Sequence, residues 1–246
     1  MSLPANSGSA PLFSTDATQP KDGDLPSLLY PISSEEMNKY FPRNSSAPGP
    51  DHSAINELKQ ISRFELFKIF NIFLFSRKVP ERFCRARTVF IPKKSAATEP
   101  RDFRLISLTP IPARLFSKIL AKRSSPSTSI EPEQRGFTET DGISQNIFML
   151  DYILRHAIER TKRTCIASLD IRKAFDSVSH EAVFNAMEAQ LIDPEFIKLI
   201  KFMYQNSSTS FAPFPNHSFK PTCGVKQGDP LSSTLFNLVI DQLLEN

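Results

Sequence analysis

The sequence predicts an α+β fold in which helices dominate the first half of the chain. Several segments repeat apolar residues every three or four positions, which is typical of helices that bury one face. Short runs of β-branched and aromatic residues are bounded by prolines, which is typical of strands. The chain has 246 residues and is 40% hydrophobic, so it is long and apolar enough to form one or two domains with a buried core.

Residues 1–50 are the least regular part of the sequence. They are rich in proline, serine, glycine and aspartate, and the prolines interrupt any helix or strand. Segments of this composition bury too little apolar surface to offset the entropy of folding. We therefore expect a disordered arm over residues 1–50.

The rest of the first half contains two helices and two strands. An apolar face predicts a helix over about residues 53–75. Residues 88–92 and 103–108 are the predicted strands, and Pro92 closes the first of them. Residues 113–123 then fit an amphipathic helix.

The second half alternates helices with short extended segments. The helix predicted at 141–160 has the clearest apolar stripe, and a strand at 165–169 follows it and ends at Asp170. Asp193 and Pro194 are a good cap and first residue for a further helix. The remaining predicted elements are a helix at 180–190, a helix at 194–204, an irregular hairpin at 208–223 and a helix at 231–245.

Positive charge is concentrated between residues 85 and 123. This segment contains ten lysines and arginines but only two acidic residues, whereas the whole chain has a formal net charge of only +4. Arg114, Lys118 and Lys122 recur every four residues and form a basic stripe on one predicted helix. The cluster indicates a surface that binds phosphates, and an ordinary solvated surface is the alternative.

Cysteine usage and hydropathy bear on the cellular compartment. The three cysteines are far apart and form no CxxC or Cys/His cluster, which argues against a zinc site and favours a reducing intracellular location. The N-terminus has no apolar signal core. The most apolar stretch, residues 64–75, is shorter than the roughly 20 residues that cross a bilayer, so we expect no membrane contact.

Asp170 lies where a predicted apolar strand ends, within Leu169–Val178. A strand fixes the position of such a carboxylate, and the end of the strand opens to solvent and substrate. Carboxylate oxygens are ligands that Mg²⁺ prefers, and nucleotidyl transfer commonly uses two such ions. An aspartate at the end of a strand is more often a turn or helix cap, so the neighbouring residues decide between these interpretations.

A Gly-Asp-Pro turn leads into the last predicted helix, within Gly224–Asn237. Gly228 would let the backbone approach a ligand closely. Lys226 and Gln227 are long enough to reach a phosphate or a base. The same residues also fit a plain turn in which Asp229 caps the helix, and both interpretations can hold together.

These two segments resemble motifs A and B of reverse transcriptases from non-LTR (LINE-type) retrotransposons. Motif A corresponds to LDIRKAFDSVSHE at 169–181, and motif B to GVKQGDPLSSTLFN at 224–237. Four upstream segments resemble the same family in the expected order: SAPGPDHSAI at 46–55, RTVFIPKKSAATEPRDFRLISL at 87–108, LFSKILAKR at 115–123 and EQRGF at 133–137. The resemblance therefore covers roughly residues 46–246.

The resemblance implies a right-hand polymerase, with a fingers-like region at 51–140 and a partial palm at 141–246. Its implied activity is RNA-directed DNA synthesis, with an RNA template, a DNA primer and dNTPs as partners. It implies two Mg²⁺ ions in the intact family and a nuclear location.

The resemblance also implies roles at matching positions. Asp170 would be the catalytic, metal-binding aspartate, and Phe175 would be a steric gate that excludes a 2′-OH. Gln227 and Gly228 would line the incoming nucleotide and the template. Lys94 and Arg104 would bind the nucleotide, and the implied nucleic-acid contacts are Lys93, Arg114, Lys118 and Lys122. Core packing of Phe175 and plain surface charge for the basic residues are the alternatives.

The sequence also departs from the family pattern. His52 stands where the family usually has glycine, and Leu105 and Ser233 stand where it usually has proline. Motif C, an aromatic residue and any residue followed by Asp-Asp, is missing, because no Asp-Asp pair occurs in the sequence. We therefore expect that both metal ions are not held, that the isolated chain is inactive, and that a sheet edge and an apolar face are exposed. The alternatives are a non-enzymatic nucleic-acid-binding remnant and a group II intron-type reverse transcriptase.

Overall fold

A computed structural model describes residues 28–42, 45–125, 128–138, 140–161 and 163–245. These residues form helices and one four-stranded sheet. The helices are α1 (Ser34–Tyr40), α2 (Ile55–Gln60), α3 (Arg63–Ser76), α4 (Glu81–Cys84), α5 (Ile111–Ser124), α6 (Gly142–Glu159), α7 (Ala174–Ser177), α8 (His180–Ala189), α9 (Pro194–Gln205) and α10 (Pro230–Glu245). The strands are β1 (Arg85–Pro92), β2 (Phe103–Leu108), β3 (Ser208–Phe211) and β4 (Phe214–Phe219).

The sheet has the strand order β2-β1-β3-β4. Strand β1 pairs antiparallel with β2 and parallel with β3, and the parallel register sets Arg85 opposite Ser208. Strands β3 and β4 form the predicted hairpin, with an irregularity between Ser210 and Phe211. The sheet therefore joins the two halves of the chain.

Helix α5 lies at the centre of the hydrophobic core. Ten of its residues are buried, which leaves it little solvent-exposed surface. The Phe116 ring is fully buried, with its centroid 5.1 Å from the Phe70 ring and 5.8 Å from the Phe73 ring. Burial of one such side chain contributes about 1.5–3 kcal/mol, so this aromatic cluster stabilises the contact between α3 and α5.

The structure confirms the α+β class and most of the predicted elements. The helix predicted at 194–204 begins as expected, with the Asp193 carboxylate accepting a hydrogen bond from the backbone N–H of Glu195 at 2.8 Å. The helix predicted over 53–75 is instead divided into α2 and α3, because Ile61 and Ser62 adopt extended backbone conformations. Helices α1 to α5 make the described part of the first half rich in helix, as predicted, and α6 to α10 make the second half rich in helix as well.

Part of the predicted disordered arm, residues 28–50, packs on the core where it is described. Helix α1 begins at a capping box, in which Ser33 and Glu36 each accept a hydrogen bond from the other's backbone N–H. The Glu36 carboxylate also accepts two hydrogen bonds from Arg123 at 2.7 Å. Burial pushes the pKa of Glu36 upwards, but the hydrogen bonds from Arg123 and Ser33 and the charge of Arg123 together outweigh it and hold the net pKa below its usual value.

Two apolar side chains complete the attachment of this segment. Ile32 and Met37 are almost wholly buried in the core. Asn71 of α3 holds the Ile32 backbone, accepting from its N–H at 2.6 Å and donating to its carbonyl at 3.2 Å. The prediction of disorder is therefore wrong for residues 28–42 and 45–50, and residues 1–27 lie outside the described part of the chain.

The predicted strand at residues 165–169 is not formed. This segment has no regular secondary structure, and Leu169 is 92% exposed. A strand needs a hydrogen-bonded neighbour, and residues 165–169 pair with neither edge strand of the described sheet. The preceding helix α6 has no buried residue either, so its apolar stripe faces solvent. Within the described ranges, no helix is long and apolar enough to cross a membrane.

Candidate nucleotide site

The two segments that resemble motifs A and B lie side by side. The backbone N–H of Val225 donates to the Phe175 carbonyl at 2.8 Å, and the N–H of Gly224 donates to the Val178 carbonyl at 2.7 Å. Ser179 and Cys223 add an antiparallel bridge between the same two stretches. The main chain around Phe175 is therefore fixed against the turn that precedes α10.

Gly228 brings this turn into close contact with strand β2. Its φ is +108°, a conformation that L side chains rarely adopt. A Cβ atom at this position would lie 3.1 Å from both Ile106 Cγ2 and the Ser107 carbonyl oxygen. The Ser107 N–H donates to the Gln227 carbonyl at 2.8 Å. Only glycine meets both the conformational and the steric requirement, which explains the residue type.

Asp229 and Lys226 hold the turn in place through hydrogen bonds to backbone groups. The Asp229 carboxylate accepts from the backbone N–H of Leu231 at 3.0 Å and so caps the start of α10, as the plain-turn interpretation predicts. The Lys226 ammonium donates to the Cys84 carbonyl at 3.1 Å. Burial raises the pKa of Asp229 and lowers the pKa of Lys226, while the attraction between the two groups opposes both shifts. Because its ammonium donates inwards to the Cys84 carbonyl, Lys226 does not reach outwards to a phosphate or base as predicted.

A cavity of about 370 Å³ opens in front of the turn. Its lining residues are Phe137, Phe175, Gln227, Gly228, Asp229, Pro230 and Ser233. The structure thus brings together Phe175, Gln227 and Gly228, three of the residues that the sequence indicated for nucleotide binding. It adds Phe137, whose role the sequence reasoning missed, although the EQRGF segment that contains it was recognised.

The Phe175 ring lies between two other aromatic rings. It stacks on Phe236 of α10 with centroids 4.8 Å apart and an interplanar angle of 14°. It meets Phe137 edge-on, with centroids 5.5 Å apart. Phe175 is half-buried and lines the cavity, so it combines core packing with an exposed edge. No pattern in the sequence indicated that Phe236 would contact it.

Asp170 is not among the residues that line the cavity. Its side chain is exposed on the irregular segment after α6. No group of three or more His, Cys, Asp or Glu side chains within the described residues could hold a metal ion. The carboxylate donors that Mg²⁺ requires are therefore not assembled around Asp170 in the described part of the chain, and the described residues do not fit the pair of ions.

Lys93 and Lys94 are exposed cations at the start of the loop between β1 and β2, and Arg104 is an exposed cation in β2 itself. Asp102 organises this loop by pairing with Lys94 at 2.9 Å and by accepting backbone N–H bonds from Thr98 and Glu99. The Lys94 hydrogen bond holds the pKa of Asp102 below its usual value.

Arg104 lies two residues from Ile106 along β2. Because side chains alternate along a strand, both occupy the sheet face that meets Gly228. Arg104 itself is not among the residues that line the cavity.

The basic stripe of α5 faces the N-terminal segment. Arg114 is half-buried and donates to the Ala47 carbonyl. Burial lowers the pKa of Arg114, and nearby carboxylates partly offset this effect. The Lys118 ammonium lies 5.8 Å from the centroid of the Tyr40 ring, and Lys122 is also half-buried. The contacts of this stripe with nucleic acid remain a prediction.

Comparison with known proteins identifies what the chain is similar to. Residues 91–246 match the family model described as reverse transcriptase (RNA-dependent DNA polymerase). A Pol polyprotein of the type-2 retrotransposable element R2DM from Drosophila melanogaster is 36% identical over 225 residues, covering 91% of this chain and 21% of the relative. A Pol polyprotein of the R2 element from Nasonia vitripennis is 33% identical over 224 residues, covering 90% of this chain and 22% of the relative. The chain thus spans about a fifth of the length of these relatives.

Proposed function

The chain belongs to the reverse transcriptase family of non-LTR retrotransposons, and on that premise we propose that it supplies the nucleotide-binding part of an RNA-directed DNA polymerase. The fingers region corresponds to residues 51–140, and a part of the palm to residues 141–246. The substrates are an RNA template, a DNA primer and deoxynucleoside triphosphates. The R2 relatives do not favour the group II intron alternative.

The observation that carries the proposal is the shared cavity of Phe175, Gln227 and Gly228. Its volume of about 370 Å³ lies within the usual range for small-ligand sites, which begins at roughly 300 Å³. The Phe175 ring, the Gln227 amide and the Gly228 backbone, which carries no side chain, all line this cavity. In the proposed complex, Phe175 lies under the sugar, and Gln227 and Gly228 contact the nucleotide and the template base.

The exposed cations Lys93, Lys94 and Arg104 are the phosphate-binding groups of the proposal. Lys94 and Arg104 bind the triphosphate, and Lys93 contacts the backbone of the nucleic acid. Charged donors held near a transferring phosphoryl group stabilise the charge that develops in the transition state. Arg114, Lys118 and Lys122 contribute to nucleic-acid binding where the N-terminal segment leaves them accessible.

Asp170 is the proposed catalytic aspartate on the basis of its position in motif A. The family is in general one of metal-dependent polymerases. No group of three or more His, Cys, Asp or Glu side chains among the described residues could hold a metal ion, so the described residues do not fit the pair of ions.

Primer extension by the natural protein at its full length tests the proposal. Gln227→Ala is expected to raise the KM for a dNTP about tenfold with little change in kcat, because it removes a contact made equally in the ground and transition states. Gln205→Ala, an exposed glutamine at the end of α9, is the matched control and should leave both constants unchanged. Unchanged KM in Gln227→Ala would contradict the proposed site.

A nucleic-acid-binding role without catalysis is the second candidate. The exposed cations Lys93, Lys94 and Arg104 support it. It predicts that primer extension fails while RNA binding persists and weakens steeply as salt increases. Lys93→Ala should then lower the slope of the salt dependence by about one, since each phosphate contact releases about one counterion.

A further inference from the structure

We propose that Phe236 is a positioning residue for Phe175, and that it sets the selectivity of the cavity for the sugar of the incoming nucleotide. The inference rests on the proposed function and extends it to a residue on another helix. Phe236 is 7% exposed and does not line the cavity. Its ring contacts Phe175 and, at a longer centroid distance of 6.3 Å, the cavity-lining Phe137, and the proposed effect on the sugar is transmitted by the closer ring of Phe175.

The contact between the two rings is a close parallel stack. Their centroids are 4.8 Å apart, and their planes differ by 14°. Phe236 therefore lies directly behind the face of Phe175, and it prevents that ring from retreating into the core. Offset stacking of this kind is favourable beyond the burial of area alone.

The backbone of Phe175 does not by itself determine where the Phe175 ring lies. The Phe175 carbonyl is fixed by the N–H of Val225 at 2.8 Å, so the backbone of Phe175 is held in place. What remains adjustable is the side-chain torsion, and the volume behind the ring limits it. The residue at position 236 consequently determines how far the Phe175 ring projects into the cavity.

A second ring is fixed from the same helix. The side-chain amide of Asn237 donates to the Gly136 carbonyl at 2.7 Å, and Asn237 is buried. This bond holds the turn that carries Phe137, whose edge contacts Phe175 at a centroid distance of 5.5 Å. Adjacent residues of α10 thus restrain the Phe175 ring from two directions.

Helix α10 also starts at the nucleotide turn. Asp229 caps the helix, and Pro230 and Ser233 of its first turns line the cavity. The turn that contacts the base and the ring that supports the gate therefore belong to one rigid element. A change at Phe236 alters the sugar side of the cavity while the Gln227–Gly228 turn keeps its own anchors.

The expected chemical consequence concerns the 2′-OH, which distinguishes a ribonucleotide from a deoxyribonucleotide. A leucine at position 236 leaves space into which the Phe175 ring can move. The cavity then admits the additional hydroxyl. A change in general stability would lower activity with both nucleotides and would not alter their ratio.

The test is the ratio of kcat/KM for a dNTP to that for the matching rNTP, measured with the natural full-length protein on an RNA template. Phe236→Leu is expected to lower this ratio about tenfold, and Phe236→Tyr, which keeps the ring, should stay within about twofold of the unmodified protein. Phe73→Leu is the matched control, because Phe73 is a helical core phenylalanine with 9% exposure and several ring neighbours. It should leave the ratio unchanged.

Phe175→Val distinguishes a failure of the proposed nucleotide site from a failure of the inference about Phe236. If the unmodified protein shows no preference for dNTPs, or if Phe175→Val leaves the ratio unchanged, the proposed site fails and the inference fails with it. If Phe175→Val lowers the ratio but Phe236→Leu does not, the inference alone is overturned. A ratio that falls equally in Phe73→Leu would also overturn it, since the effect would then be one of stability.

Discussion

Helices α5 and α6 are both amphipathic, but their apolar faces lie in opposite environments. Ten residues of α5 are buried, and it contacts α1, α2, α4 and α10. Helix α6 is four residues longer and has the more regular apolar stripe, yet none of its residues is buried. Ile147 and Ile158 in that stripe are 64% and 76% exposed. A regular stripe therefore identifies a helix without identifying what covers it.

The difference teaches where the stability of the described chain resides. Most of the stability of a helix in a protein comes from packing of its apolar face rather than from intrinsic propensity. By this criterion, α5 is an integral part of the core, whereas α6 and the irregular segment that leads to Asp170 gain little from packing. The catalytic candidate Asp170 thus lies in the less constrained of the two regions. Phe175, which follows it in the chain, lies in the packed region.

The largest expected effect comes from matched phenylalanine truncations in the two helices. Phe116→Ala in α5 should lower the free energy of unfolding by about 3–5 kcal/mol, because it leaves a cavity against Phe70 and Phe73. Phe148→Ala in α6 should change it by less than about 0.5 kcal/mol, since Phe148 is 71% exposed. Urea denaturation followed by circular dichroism measures both. Equal losses would break the comparison.

A smaller effect is expected where the N-terminal segment meets the start of α5. A Cβ atom on Gly49 would lie 2.6 Å from the Pro110 nitrogen, in contact with backbone that cannot easily move. Gly49→Ala should therefore cost about 1–3 kcal/mol of stability. Gly136→Ala is the control, because its Cβ would meet only the flexible Gln134 side chain. Thermal melts that are the same for the two variants would show that the segment adjusts without cost.

His52 offers a stabilising change in the same segment. Its φ is +55°, in the left-handed region that favours glycine, at the position where the related sequences were expected to carry that residue. His52→Gly should raise the free energy of unfolding by about 0.5 kcal/mol, because relief of the strained conformation exceeds the added entropy of the unfolded chain. A lower melting temperature would show that the His52 side chain makes a contact worth more than the strain.

The smallest expected effect is a dependence on pH within the packed region. Burial lowers the pKa of His180 below its ordinary 6.5, and the positive charge of Lys226 lowers it further. The Gly224 carbonyl, which the His180 ring approaches at 3.2 Å, partly offsets this lowering. The unfolded chain then binds more protons than the folded one at mildly acid pH. The contribution of His180 to stability is therefore complete above about pH 6.5 and decreases as the pH falls through the lowered pKa. Melting temperatures across this range should depend less on pH in His180→Gln, and an unchanged slope would contradict the assignment.

Local signals in the sequence predicted the elements well but not their partners. The Asp193-Pro194 cap, the strand closed by Pro92 and the helices at 113–123 and 180–190 depend on neighbouring residues, and the structure contains them. Helix α1 was missed although Ser33 and Glu36 form a local capping-box signal, whereas its attachment to the core through Arg123, 87 residues from Glu36, is encoded by no local pattern. The strand at 165–169 was predicted from its composition, but it lacks a partner strand in the described sheet.

The candidate site was predicted in the same partial way. Phe175, Gln227 and Gly228 were identified from the resemblance, and they line one cavity. The inward orientation of Lys226 could not be predicted, because it depends on the Cys84 carbonyl, 142 residues away. The stack of Phe175 on Phe236 likewise depends on how α7 and α10 meet, which no local pattern encodes.

The parallel pairing of β1 with β3 has a consequence for synthesis on the ribosome. Ala86 and Thr209 are 123 residues apart in the chain. At roughly 5–20 residues per second, Ala86 in β1 emerges roughly 6–25 seconds before Thr209 in β3. During that interval the edge of β1 remains open to pairing with other nascent chains, so the yield of folded protein should depend on the chaperones that bind the emerging chain.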